Sequence, residues 1–501
     1  MHNYKSPLER LCVKLCAMVK ADALPLISGL VSGYLAHMFV FTNKLMNADE
    51  VSAIFSKGAT IDSGRWALEL LRYVFPDLSV PWLWGTITIV LITVAACIAL
   101  RLFNIKHPFM RALLPALVIS FPSLTGTFCF MFTSSAYAVA FLFAVAAAWV
   151  FVNVKKRSVA WLLSCLLLMF SVGIYQAYVA ICASFFVIYM IQSLLEGREP
   201  GKVLMFGVRC VIMLAVSLVA YYAASFVAVQ LSNGEFLVYA LENENSMLFR
   251  VALAYNAFVK SIIAGNFGFV DTGLSLVSHL LALAVCLVLG VREFFKIGTL
   301  KSKMLFLLCV VLLPLAMNCI FLISSTQIIH SLVLYSFVSI YVLSAVLLDR
   351  IDVPKLCSLR DVVAVCMILM VVSNVFFANK VYLKLHLQYE NAYSLYTGVM
   401  TRVTGLEGYT EDTKIAIMGN YAGLPENDLL DTGDLLGPSE DLMNVYTREE
   451  FIKNYLGYTC EFVKDDDYWS VYHSEKLKEM PVYPYDGSVD YIYDFIVVKL
   501  G

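Results

Sequence analysis

Apolar runs of about twenty residues recur from Leu24 to Leu383, each long enough to cross roughly 30 Å of hydrocarbon as a helix. The short alternating segments of a membrane-spanning barrel are not seen. The pattern predicts about eleven spans, near 23–43, 82–102, 112–132, 135–154, 158–174, 177–195, 203–230, 273–291, 304–324, 328–348 and 361–383. Two stretches, 112–154 and 158–195, are too long for one crossing, and we divide them near Thr133-Ser134-Ser135 and near Gly173. Ahead of the first run, Leu8, Leu11, Cys12, Leu15, Cys16 and Val19 repeat at helical spacing, with Arg10, Lys14 and Lys20 on other faces. Residues 1–22 therefore read as an amphipathic helix at the cytoplasmic interface.

Between the spans, three long segments fall on the same side: 44–81, 231–272 and 384–501. The first holds two short helical patterns, opened by Asn47-Ala48-Asp49-Glu50 and by Asp62-Ser63-Gly64-Arg65-Trp66. The second has a half-apolar helix near Met247–Ala264, expected to lie along the membrane. The third reads as a small α/β domain: a helix continuing from the last span, a strand at Lys414–Met418, a turn-rich middle and a closing strand at Tyr491–Val498.

Charge supplies a direction. Only 15% of the 501 residues are charged, well below the quarter usual for soluble domains. From Lys384 onward there are 21 acidic and 9 basic residues, net −12, leaving +10 for the rest of a chain whose total is −2. The basic excess collects in alternate short loops, such as Arg101, Lys106, Arg111; Lys155, Lys156, Arg157; and Arg292, Lys296, Lys301, Lys303. By the positive-inside rule these loops are cytoplasmic, and eleven spans then put residues 384–501 outside. The thirteen cysteines mostly lie within apolar runs and form no disulfide or metal spacing.

Candidate chemistry gathers in the first outer loop. Asp49 and Glu50 follow the first span closely, at the depth where a lipid-linked sugar presents its phosphate. A carboxylate there can take a proton from an acceptor hydroxyl, or bind a divalent cation such as Mg or Mn. The same residues also fit a helix cap, since Asn47-x-x-Glu50 has capping-box spacing. Arg65 can hold phosphate and Trp66 can stack on sugar or lipid, with Arg72 on the same helix face. Interfacial anchoring explains Arg65 and Trp66 equally well. At other outer turns lie Tyr175-Gln176 and Gln327 with His330, polar groups that either line a cavity or satisfy neighbouring helices. His37 within the first span faces the same two choices, while Gly29-x-x-x-Gly33 predicts a close helix-packing face.

Three runs, Asn47-Ala48-Asp49-Glu50, Ser63-Gly64-Arg65-Trp66 and Gly173-Ile174-Tyr175-Gln176-Ala177-Tyr178, together resemble the bacterial Gtr-type glucosyltransferases. The aromatic stretch from Phe121-Pro122 to Phe130-Met131-Phe132 is similar too, and the resemblance spans roughly 20–400. Those enzymes decorate O-antigen and belong to the GT-C class of membrane glycosyltransferases, which use polyprenyl-phosphate sugars from the outer side. The resemblance implies Asp49 as the base with Glu50 as its neighbour, Arg65 on the donor phosphate, Trp66 packed nearby, and Tyr175 and Gln176 flanking the cavity.

The expectation is an all-α polytopic membrane protein, GT-C-like over 23–383, with a small extracytoplasmic α/β domain over 384–501. Its expected activity is transfer of a hexose, glucose for the family, from an undecaprenyl-phosphate donor to a surface glycan in the bacterial inner membrane. A lipid-sugar synthase and a flippase would be its functional partners. The competing class is a transporter or flippase of lipid-linked saccharides, which would carry charge within the bundle; the mid-span regions are almost uncharged. A nucleotide-driven pump lacks its phosphate loop here, and no basic aromatic surface suggests nucleic acid.

Overall fold

The computed structural model describes residues 6–53, 60–75, 79–232, 245–266, 272–323, 329–351, 353, 356–421, 428–433, 435, 437 and 442–501. Among the described residues, ten helices are long and apolar enough to cross a membrane, and a bent pair, Pro108–Ser120 (α6) and Pro122–Phe128 (α7), makes an eleventh crossing if taken as one span. The 42° bend has a local cause. Pro122 disfavours helical geometry at the residue before it, and Phe121 is extended (φ −61°, ψ 137°).

The amphipathic helix forms as Pro7–Ala21 (α1), opened by a capping box between Ser6 and Glu9. The first span is Ala23–Thr42 (α2) and the second Pro81–Leu102 (α5). Gly29 and Gly33 are a packing face, as their spacing predicts: a Cβ on Gly29 would meet Thr93 at 2.6 Å, and one on Gly33 would meet Ile89 at 2.8 Å. His37 is fully buried and satisfied within the bundle, bonded to the Tyr382 hydroxyl (2.7 Å) and the Ile119 carbonyl (2.9 Å).

The two long apolar stretches do divide, at slightly different places. The first breaks between Phe128 and Met131, so Thr133–Ser135 lie inside Met131–Asn153 (α8). The second breaks at Tyr175, extended between Arg157–Ile174 (α9) and a 3₁₀ turn, Gln176–Tyr178, that leads into Val179–Leu195 (α10). The half-apolar helix runs Met247–Phe258, and its last turn widens to a π-helix over Val259–Ile263.

Contacts sort the span ends into two sets. At one end Asp22 binds Arg101 (2.7 Å) and Arg111 (2.9 Å), and the Asp349 carboxylate accepts the backbone N–H groups of Lys106 and His107. Arg350 joins Glu293 to the Leu195 carbonyl at the same end. The opposite end gathers the first loop, the Tyr175 turn, the Ser331 turn and the C-terminal domain.

That domain grows from the last span. Cys357–Thr404 is one helix of 48 residues, about 72 Å long, so more than half of it stands clear of a bilayer core. The expected boundary between 383 and 384 falls inside this continuous helix. The sheet has three strands in the order β1-β3-β2, with Ile415–Met418 (β1) parallel to Phe495–Lys499 (β3) and Val489–Ile492 (β2) antiparallel to it. The expected single closing strand is thus a hairpin. Tyr493, left-handed at φ 55°, turns the chain without a glycine and so leaves no turn signal in the sequence.

Candidate active site

Asp49 and Glu50 lie on Ala48–Ala53 (α3) and face different worlds. Glu50 is fully buried. Its carboxylate pairs with Lys44 (2.7 Å), accepts the Ser79 hydroxyl and accepts the Met131 N–H (3.3 Å) that opens α8. Half of the capping box is present, because Asn47 Oδ1 accepts the Glu50 N–H at 2.9 Å. The Glu50 side chain does not return to Asn47; it ties α3 to the loop before α5 and to the start of α8. Asp49, one residue away, reaches solvent.

Arg65 caps the six-residue helix Trp66–Leu71 (α4) and lies over the Tyr175 ring at 5.6 Å from its centroid. A guanidinium over a phenol ring gains about 0.5–2 kcal/mol, depending on its hydration. Tyr175 is itself stacked on Tyr137 with centroids 4.4 Å apart, so the platform under Arg65 is rigid. The turn before Arg65 is closed by the Arg65 N–H to the Thr60 carbonyl and the Gly64 N–H to the Ile61 carbonyl. Gly64 takes φ +76°, and a Cβ there would meet the Tyr221 hydroxyl at 2.6 Å. Gln176 closes the same corner, donating from Nε2 to the Ser63 carbonyl (2.8 Å) and to the Tyr221 hydroxyl (3.2 Å).

The loop around Asp49 pushes its carboxyl above the usual carboxylate range by burial, while the Arg65 charge and a hydrogen bond from Tyr446 pull it back down. Burial also lowers the His330 imidazole to about 4, with the Arg65 charge adding to the effect, so this histidine is neutral near pH 7. Asp49, Arg65, Tyr175 and His330 are therefore one electrostatic neighbourhood built from three separate turns at one end of the bundle. His330 Nδ1 is buried and has no hydrogen-bond partner among the described residues. Gln327, expected beside it, lies outside the described residues.

Trp66 and Arg72 take other places. The Trp66 indole packs on Phe170 (5.3 Å between ring centroids) and fills the space left by Gly173, where a Cβ would meet it at 2.8 Å. It anchors α4 to α9, which is how the loop is held at this depth. Arg72, at the other end of α4, pairs with Glu69 at 2.6 Å, and Glu69 also accepts the Thr60 hydroxyl.

Sequence reasoning missed two members. Tyr446 lies in a turn of the C-terminal domain that carries no motif. Tyr221, deep in the helix Pro200–Leu231 (α11), looks like any aromatic residue in an apolar run. Among the described residues, no three His, Cys, Asp or Glu side chains gather as a metal site.

The fold and the site define a multi-pass membrane protein with its polar chemistry at one end of the bundle, next to an extramembrane domain. The family described as Glucosyl transferase GtrII matches residues 38–348, and the chain belongs to that family. The match takes in Asp49, Arg65, Tyr175, Gln176 and His330 and ends before the C-terminal domain. No curated protein and no solved structure matches the chain with significance. The family makes this chain a membrane glucosyltransferase.

Proposed function

We propose that the protein transfers glucose from an undecaprenyl-phosphate carrier to a surface glycan such as O-antigen, on the outer face of the bacterial inner membrane. The N-terminal helix is then cytoplasmic and the C-terminal domain outside, in line with the basic loops that collect Arg101, Lys106 and Arg111 at the end opposite Asp49. One observation carries the reading. Two motif runs more than a hundred residues apart meet where Arg65 lies over Tyr175 and Gln176 holds Ser63, with Asp49 facing the same guanidinium.

In this reading an acceptor hydroxyl attacks the anomeric carbon while Asp49 takes its proton. The bond from that carbon to the phosphate oxygen breaks, and the polyprenyl phosphate leaves with the electron pair. Arg65 offsets the charge growing on the leaving phosphate, in a geometry set by Tyr175 and by the Gly64 turn. Glu50 orients α3 rather than acting as a second base, because Lys44, Ser79 and the Met131 N–H already occupy its carboxylate. That leaves Asp49 as the one carboxylate of the pair facing solvent, a poor donor set for Mg or Mn, so no step is assigned to a cation. A lipid-sugar synthase and a flippase would supply the donor.

Purified protein given undecaprenyl-phosphate glucose and O-antigen should transfer the sugar. Asp49→Asn should lose about 10²–10⁴ of the rate at unchanged expression, the usual contribution of a general base. Full activity in that variant removes Asp49 from the mechanism. Vesicles that move lipid-linked sugar across the bilayer without transferring it would favour a flippase instead.

A further inference from the structure

The helix that carries Asp49 is packed into the C-terminal domain. Met46 and Val51, on either side of Asp49, share one apolar core with Ala392, Leu395 and Tyr396 of the last helix and with Leu442, Met443 and Phe451. The Asn454 amide donates to the Val51 carbonyl at 3.2 Å from the domain's helix Arg448–Leu456. The turn between Met443 and that helix is braced by the Thr447 hydroxyl donating to the Leu442 carbonyl (2.7 Å) and by the Thr447 N–H donating to Asn444 Oδ1 (2.9 Å). Tyr446 projects from this braced turn, and its hydroxyl donates to Asp49. The same domain also seats on the bent span. Leu435 would lie 3.6 Å from a Cβ on Gly126, and a Cβ on Gly437 would meet Cys129 at 2.5 Å.

We infer that Tyr446 is a positioning residue for Asp49, and that the C-terminal domain thereby completes the transfer site. The inference rests on the reading of Asp49 as the base. A phenol donating to a carboxylate stabilises the charged form and fixes which oxygen is left for the acceptor proton. The other described groups around α3 have places of their own. Lys44 and Glu50 pair with each other, Glu450 accepts the Asn454 amide, Tyr455 lies on the Glu50 side, and His330 stands by Arg65. Among the described residues, Arg65 and Tyr446 hold the Asp49 carboxyl down. Tyr446 is 61% exposed, so loss of its hydroxyl leaves the domain core intact.

The test compares full-length wild type and Tyr446→Phe, with Asp49→Asn as the blank, in two measurements. Difference infrared titration reads the Asp49 carboxyl without turnover, and the pH profile of kcat/KM reads it during transfer from undecaprenyl-phosphate glucose. In Tyr446→Phe the Asp49 midpoint and the acid limb should both move up by about one pH unit. A change in KM alone, with both midpoints unmoved, overturns the inference. If the infrared midpoint moves but wild type transfers no glucose, Tyr446 still positions Asp49 and the proposed reaction is what fails.

Discussion

Gly64→Ala tests the corner on which Arg65 depends. Gly64 sits at φ +76°, where an L-residue costs about 1–2 kcal/mol relative to glycine. The new methyl would also stand 2.6 Å from the Tyr221 hydroxyl, so that ring must shift and give up its 3.2 Å bond from Gln176. A lost neutral hydrogen bond adds about 1 kcal/mol, for a total near 2–3 kcal/mol. The strain falls next to Arg65, and displacing the group proposed to hold phosphate by about 1 Å can cost on the order of 10² in rate. Thermal unfolding in detergent and glucose transfer by the same sample read the two effects separately. Tyr221→Phe then separates the sources: without the hydroxyl the clash largely disappears, so Gly64→Ala should cost only its backbone share in that background. Wild-type unfolding and rate in Gly64→Ala would refute the strained-turn argument. An equal penalty with and without the Tyr221 hydroxyl would refute its steric part.

Glu50→Gln should lower stability by about 1–3 kcal/mol, less than the roughly 3–5 kcal/mol lost when a fully buried pair is broken, because Lys44 is partly exposed and can turn to water. Asp49→Asn, at a solvent-facing carboxylate, should leave the unfolding temperature nearly unchanged, and the reverse ranking would contradict their assigned roles. In the proposed reaction Asp49 acts deprotonated; burial raises its pKa, so the transfer rate should fall as pH drops through a value above the ordinary ~3.9, and Arg65→Gln should move that limb higher still. An acid limb at or below the ordinary value would argue against Asp49 as the base. With Arg65 supplying the positive charge at the phosphate, as proposed, transfer should survive EDTA; full loss restored by Mg or Mn would mean that a cation takes part.

Much of this protein is written locally. Twenty-residue apolar runs specify spanning helices because an unsatisfied backbone in hydrocarbon is costly, and Pro122 marks the bend through its own sterics. Gly29 and Gly33 announce close packing by spacing alone, and basic loops separate the two ends of the bundle. Asp49, Arg65 and Tyr175 stand out because polar residues at turns between spans contrast with the apolar runs beside them. Tertiary structure decided what adjacency in sequence leaves open. Asp49 and Glu50 are chemically alike and neighbours in the chain, yet a short helix turns Glu50 inward to Lys44 and Met131 and Asp49 outward. Tyr446 and Tyr221 join the site only through packing between elements far apart in the chain, and such pairing carries no local signal. The sequence determines which segments cross the membrane, because solvation is a property of each segment; the site depends on which segments touch, and contact is a property of the whole fold.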